Sequence, residues 1–105
     1  MQEIDVSDLE TWRKRGESHL LLDVREATEL ATASIVGARH IPMDEVAARI
    51  DEIPTDMPVI VICHHGGRSA RVVAYLNQNG RPNALNLRGG IDAWSVEVDP
   101  SVPQY

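Results

Sequence analysis

Phenylalanine is absent from the 105-residue sequence, which has only two tryptophans and two tyrosines. The core must therefore be built from isoleucine, valine, leucine and alanine, a composition that suits buried parallel strands covered by helices. The length predicts one compact domain over residues 1–105, because domains average roughly 150 residues. With 43% hydrophobic and 25% charged residues, the chain is too apolar to be disordered.

Long hydrophobic runs are also missing. No apolar stretch approaches the ~20 residues that a membrane-spanning helix needs. Residues 1–5 have neither the basic start nor the apolar core of a signal peptide. We therefore expect no membrane association and a cytoplasmic location. The only cysteine, Cys63, excludes an internal disulfide and suits a reducing compartment.

Basic residues are few and unevenly distributed. The net charge of −6 argues against nucleic acid as a partner, because phosphate binding needs clustered lysine and arginine. Residues 1–56 carry 13 acidic and 6 basic side chains, whereas residues 57–91 carry four arginines and no carboxylate. Cys63 lies in this basic segment, where a positive field would favour the thiolate and anionic substrates. The alternative is a chance distribution within a short segment.

Helical spacings and apolar runs alternate along the chain. A capping box at Ser7 and Glu10 predicts a helix from Asp8 to Arg15. An amphipathic spacing predicts a helix over 43–50. Apolar runs predict strands at 20–24, 39–41, 59–62 and 84–87, and further helices are predicted at 27–31, from about 67 to 80, and at 91–95. This alternation predicts an α/β fold with a mainly parallel sheet flanked by helices.

The segment from Cys63 to Ser69 joins the most apolar strand to a helix, at the strand end where such sheets bind ligands. Gly66 and Gly67 allow the backbone to curl so that successive amides point at the cysteine sulfur. The start of the helix and the permanent charge of Arg68 both favour a thiolate. The loop thus predicts an anion cradle centred on a nucleophile. The alternative is an inert, buried thiol.

The polar residues around the loop allow more than one interpretation. His64 and His65 could suggest a metal, but zinc needs three or four ligands, and His19 and His40 lie in distant segments. We expect no metal and no cofactor, and we interpret the two histidines as loop walls that steer anions. Arg68 is expected to contact the substrate, the alternative being an exposed helix residue.

Asp23 and Arg25 follow the first long apolar run of the sequence. We interpret them as an ion pair that supports the cradle, in preference to a catalytic role. Trp94 is interpreted as core packing under the last helix.

The loop from Cys63 to Ser69 closely resembles the active-site loop of the rhodanese family. Segments 22–26, 37–42 and 87–94 look like other motifs of that family, in the same order. The resemblance implies a rhodanese-like three-layer fold with a central sheet of about five strands. His64 stands where many members carry an arginine, so a titratable group replaces a permanent charge.

The same resemblance implies sulfurtransferase activity with Cys63 as nucleophile. Its thiolate would attack the outer sulfur of thiosulfate or a persulfide donor, and a thiol or cyanide would then discharge the Cys63 persulfide. The substrate-binding loop would consist of His64, His65, Gly66, Gly67, Arg68 and Ser69. Some phosphatases and arsenate reductases of this fold place five residues between cysteine and arginine. Here only four residues intervene.

Two other functions stay open at this point. The first is a sulfur-relay module that delivers persulfide sulfur to a partner such as a sulfur-carrier protein. Residues 98–105 are similar to the tails of rhodanese domains, including those attached to enzymes that activate ubiquitin-like sulfur carriers. The second is a non-catalytic regulatory module, which the intact cysteine loop disfavours.

Overall fold

The computed structural model describes residues 2–105, in which strands and helices alternate. The strands are β1 (Glu3–Ile4), β2 (Leu20–Asp23), β3 (Arg39–His40), β4 (Val59–Ile62) and β5 (Ala84–Leu87). The helices are α1 (Val6–Arg15), α2 (Ala27–Thr32), α3 (Gly67–Gln78) and α4 (Gly90–Glu97). All strand pairs are parallel, and the sheet order is β1-β5-β4-β2-β3. The expected α/β class and five-stranded sheet are confirmed.

The sheet separates two apolar cores. β4 is buried along its whole length, and its alternate side chains point to opposite faces. Val59 and Val61 pack in one cluster with the apolar face of α3. Ile60 and Ile62 pack in the other cluster with α1 and α4, where Trp94 is a buried core residue as predicted. Within the described residues, no helix is both long and apolar enough to cross a bilayer.

The helix predicted over 43–50 is wrong. Two 3₁₀ turns take its place, at Met43–Glu45 and Ile50–Glu52. An α-helix through Ile50 would pair its carbonyl with the amide of residue 54, but Pro54 has no N–H to donate. The Ile50 carbonyl accepts instead from the Ile53 amide at 3.0 Å, which closes the 3₁₀ turn, and from Arg81 at 2.9 Å.

The start of the chain also differs from the prediction. The first helix begins at Val6, and its capping box pairs Asp5 with Asp8, in place of Ser7 and Glu10. The Asp8 carboxylate accepts a hydrogen bond from the Asp5 amide at 3.2 Å. The edge strand β1 was not predicted, because two residues carry no periodic pattern and the strand is formed by pairing with the distant β5.

Candidate active site

Cys63 directly follows β4, at the carboxyl end of the sheet, and its side chain is 1% exposed. The Gly66 amide donates to its Sγ at 3.1 Å, and the Ser69 amide donates at 3.3 Å. These two N–H groups stabilise negative charge on the sulfur atom they surround. The structure therefore brings Cys63, Gly66 and Ser69 together in the arrangement that the loop sequence predicts.

Gly66 produces the sharp curl of the loop. Its φ of 109° lies in the left-handed region that glycine alone adopts without strain. The next residue, Gly67, begins α3, and the Ser69 amide in its first turn is the one that donates to the sulfur. The helix N-terminus adds its partial positive charge at the same place.

A hydrogen-bonded pair, Ser69 and Asn86, lies beneath the sulfur. The Ser69 hydroxyl lies 3.2 Å from the Cys63 Sγ and donates to the Asn86 Oδ1 at 2.5 Å. The Asn86 Nδ2 donates to the Gly66 carbonyl and to the Glu3 carboxylate, which can only accept. This fixes the orientation of the Asn86 amide, so the Ser69 oxygen is free to accept the thiol proton of Cys63.

Asn86 is a site residue that the sequence analysis missed. It is 2% exposed and lies on β5, next to the strand that precedes the cysteine. The available signal was a polar side chain in the middle of the apolar run 84–87, since buried polar groups need a partner.

The start of α4 holds the other side of the loop. The Ile91 amide donates to the Cys63 carbonyl at 2.9 Å, and the Asp92 amide donates to the His64 carbonyl at 3.1 Å. Gly90, with a φ of 61°, passes so close to these carbonyls that an added Cβ would overlap both of them. The turn at Gly89 and Gly90 is therefore a wall of the site.

Gly90→Ala is expected to displace the cysteine loop and to destabilise the fold. A left-handed alanine costs about 1–3 kcal/mol, and the overlap with backbone adds roughly 1–3 kcal/mol. Gly37→Ala is the matched control, because its φ is 88° but nothing lies within 4 Å of the added Cβ. Urea unfolding of both variants measures the difference. Equal losses of stability would contradict the steric argument.

Arg68 is held in a bidentate ion pair that the sequence analysis did not foresee. Its Nη1 and Nη2 donate to the two Glu29 carboxylate oxygens at 2.6 and 2.8 Å. The hydrogen bonds from Arg68 hold the pKa of Glu29 well below its usual range, although partial burial opposes them. Glu29 lies on α2, 39 residues before Arg68, so no local pattern links the two.

Tyr105 covers the loop from above. Its ring stacks on His64 with centroids 3.8 Å apart and an interplanar angle of 5°. Its hydroxyl donates to Glu29 at 2.7 Å and accepts from Arg25 at 2.8 Å. Burial and the bond to Glu29 raise the pKa of Tyr105, so the phenol stays neutral. No pattern in residues 98–105 predicted this contact.

His64 and His65 meet a third polar residue, Asp92, with their potential ligand atoms within 4.8 Å of one another. Asp92 was not among the further ligands expected from the sequence, which were all histidines. The two imidazole rings stack at 3.8 Å with an interplanar angle of 28°. The nitrogen lone pairs lie in the planes of two stacked rings, so they do not converge on one point. One ring would have to turn before both could bind the same ion.

The structure contains the ion pair expected between Asp23 and Arg25. Both side chains are fully buried, and the Arg25 Nη2 donates to the Asp23 Oδ2 at 2.7 Å. Arg25 also donates to the Ala33 carbonyl at 2.8 Å and to the Tyr105 hydroxyl. The pair thus links the end of β2 to the segment after α2 and to the tail that covers the loop.

A family model described as Rhodanese-like domain matches residues 5–97. A protein named sulfurtransferase from Allochromatium vinosum is 41% identical over 102 residues, which are 97% of this chain and 95% of that protein. A maize protein, named adenylyltransferase and sulfurtransferase MOCS3-2, is 35% identical over 86% of this chain, which spans only 20% of its length.

A crystal structure of a rhodanese-related protein from Thermoplasma volcanium superimposes with a TM-score of 0.87. The two chains are 35% identical, and the alignment covers 100% of both. The family model, the sequence identities and the fold agree, and the chain belongs to the rhodanese-like family.

Proposed function

We propose that the chain is a sulfurtransferase acting as a single domain through a Cys63 persulfide. The Cys63 thiolate attacks the outer sulfur of thiosulfate or of a persulfide donor. A sulfur–sulfur bond forms, the donor's bond to that sulfur breaks, and sulfite or a thiolate leaves with the electron pair. An acceptor thiolate or cyanide then attacks the outer sulfur, and the Cys63 thiolate leaves.

The observation that carries this proposal is the pair of amide donors on the Cys63 sulfur, at 3.1 and 3.3 Å. A buried structural cysteine needs no such donors, whereas an anionic sulfur gains stabilisation from both. The names of the relatives support the same chemistry. Gly67 and the first turn of α3 supply the helix dipole, and the remaining loop residues form the walls of the site.

The direct test is a thiocyanate assay with thiosulfate and cyanide, run in parallel with intact-mass measurement. We expect thiocyanate to form and one sulfur atom to be added to the chain in the absence of cyanide. An unmodified mass with every donor, together with no thiocyanate, would contradict sulfur transfer and favour the regulatory alternative.

Delivery of sulfur to a protein acceptor is the second candidate, and the similarity to the maize relative favours it. That relative combines adenylyltransferase and sulfurtransferase in its name, and this chain matches a fifth of its length. The acceptor to compare with cyanide and glutathione is a purified sulfur-carrier protein whose C-terminal carboxylate has been adenylated. The terminal sulfur of the Cys63 persulfide can attack that acyl group and form an acyl disulfide while AMP leaves with the electron pair. Discharge by the carrier alone would favour the relay, whereas equal discharge by small thiols would argue against it.

The loop length predicts that phosphatase activity is negligible. Four residues separate Cys63 from Arg68, and Arg68 is engaged by Glu29. This loop encloses a single sulfur atom, which is smaller than a phosphoryl group with its three oxygens. Release of nitrophenol from an aryl phosphate measures the activity, with Cys63→Ser as the control. Turnover that depends on Cys63 would overturn this assignment of substrate class.

A further inference from the structure

Two arginines in or next to the cysteine loop are each paired with a carboxylate. Arg68 is the cation of the loop itself, and both of its terminal nitrogens donate to Glu29. Arg25 is paired with Asp23. An arginine whose two terminal nitrogens are paired with a carboxylate cannot use them to bind an incoming oxyanion as well. The basic character of the loop sequence is therefore cancelled by an acid from α2.

Glu29 is held in place as firmly as Arg68. Its carboxylate accepts four hydrogen bonds, two from Arg68, one from the Tyr105 hydroxyl and one from the Glu26 amide. The last of these belongs to the capping box at the start of α2. The Glu29 side chain is 19% exposed, so solvent screens the pair only in part. These bonds keep its negative charge at the mouth of the site.

We propose that Glu29 is a specificity residue, which neutralises Arg68 and thereby makes the site favour sulfur donors of low charge over small anions. This inference deepens the proposed function. Its statement about sulfur donors rests on that function, because it holds only if the chain transfers sulfur. Thiosulfate carries two negative charges, whereas a persulfide carries at most one, on the reacting sulfur itself. The site would accordingly use persulfide donors better than thiosulfate, because a dianion meets the Glu29 carboxylate while that carboxylate already engages Arg68.

Alkylation of Cys63 tests the charge selectivity without any sulfur transfer. Iodoacetamide and iodoacetate carry the same reactive group but differ by one negative charge, and Cys63 is the only cysteine. The measured quantity is the ratio of the iodoacetate rate to the iodoacetamide rate. We expect Glu29→Gln to raise this ratio about five- to tenfold at low salt, with a smaller rise at high salt.

Two controls separate this effect from a change of net charge or of fold. Glu17→Gln removes the same charge at an exposed position just before β2, at the opposite end of the strands from Cys63, and should leave the ratio unchanged. Glu29→Gln combined with Arg68→Met should return the ratio close to the wild-type value. Tyr105→Phe keeps a ring to stack on His64 but frees Glu29 of one bond, and should raise the ratio about twofold.

Donor kinetics give the second readout. With thiosulfate, Glu29→Gln should lower KM about tenfold and change kcat less than twofold, whereas with a protein persulfide KM should stay constant. An alkylation ratio in Glu29→Gln equal to that of the wild type would overturn the role of Glu29, even if sulfur transfer occurs. A raised ratio without transfer from any donor would keep that role and refute the proposed function.

Discussion

Cys63→Ser is expected to take up no sulfur and to lose all thiocyanate formation. Serine keeps the size of the side chain and can still accept from the Gly66 and Ser69 amides. Its hydroxyl cannot form a persulfide, so the covalent intermediate is lost while the cradle remains. Intact mass after incubation with thiosulfate measures the result, and a urea unfolding curve close to the wild-type curve shows that the fold is retained.

The wild-type chain should instead hold one added sulfur after the donor is removed. The sequence has no second thiol, so an internal disulfide cannot release the persulfide and an external nucleophile is needed. The 1% exposure of Cys63 limits reaction with a second chain. Cyanide or glutathione should restore the original mass in a single turnover. Formation of an intermolecular disulfide on loading would contradict this account and favour the regulatory alternative.

The central part of the site could be predicted because its signals are local. The run Val59–Ile62 is continuous and consists of β-branched residues, so it predicts a buried strand. The end of that strand then gives the position of Cys63. The two glycines before Arg68 indicate the curl and the helix start. In each case the residues that decide the structure are neighbours in sequence.

The outer part of the site could not be predicted because its contacts are long-range. Glu29 lies 39 residues from Arg68, and Tyr105 lies 76 residues from Glu29. Neither pair has a spacing that a helix or strand period would produce. The basic segment that contains Cys63 was interpreted as a positive field, but the fold brings a carboxylate of the acidic half onto its Arg68.

Arg25→Met is expected to cause a large loss of stability. It leaves the Asp23 carboxylate fully buried without its cation. Removing one partner of a buried ion pair costs about 3–5 kcal/mol, because the other charge stays uncompensated. The comparison is Arg39→Met, which breaks an ion pair between Arg39 and Glu52 that is 44% and 36% exposed. Urea unfolding should show a much smaller loss for that variant.

A double variant, Arg25→Met with Asp23→Leu, distinguishes a lost charge pair from lost packing. Removing both charges avoids the unpaired carboxylate, so the double variant should be more stable than Arg25→Met alone. The Ala33 carbonyl and the Tyr105 hydroxyl still lose a donor in both variants. Recovery should therefore be partial. A double variant no more stable than the single one would show that Arg25 acts through those two contacts, and that its charge on Asp23 contributes little to the fold.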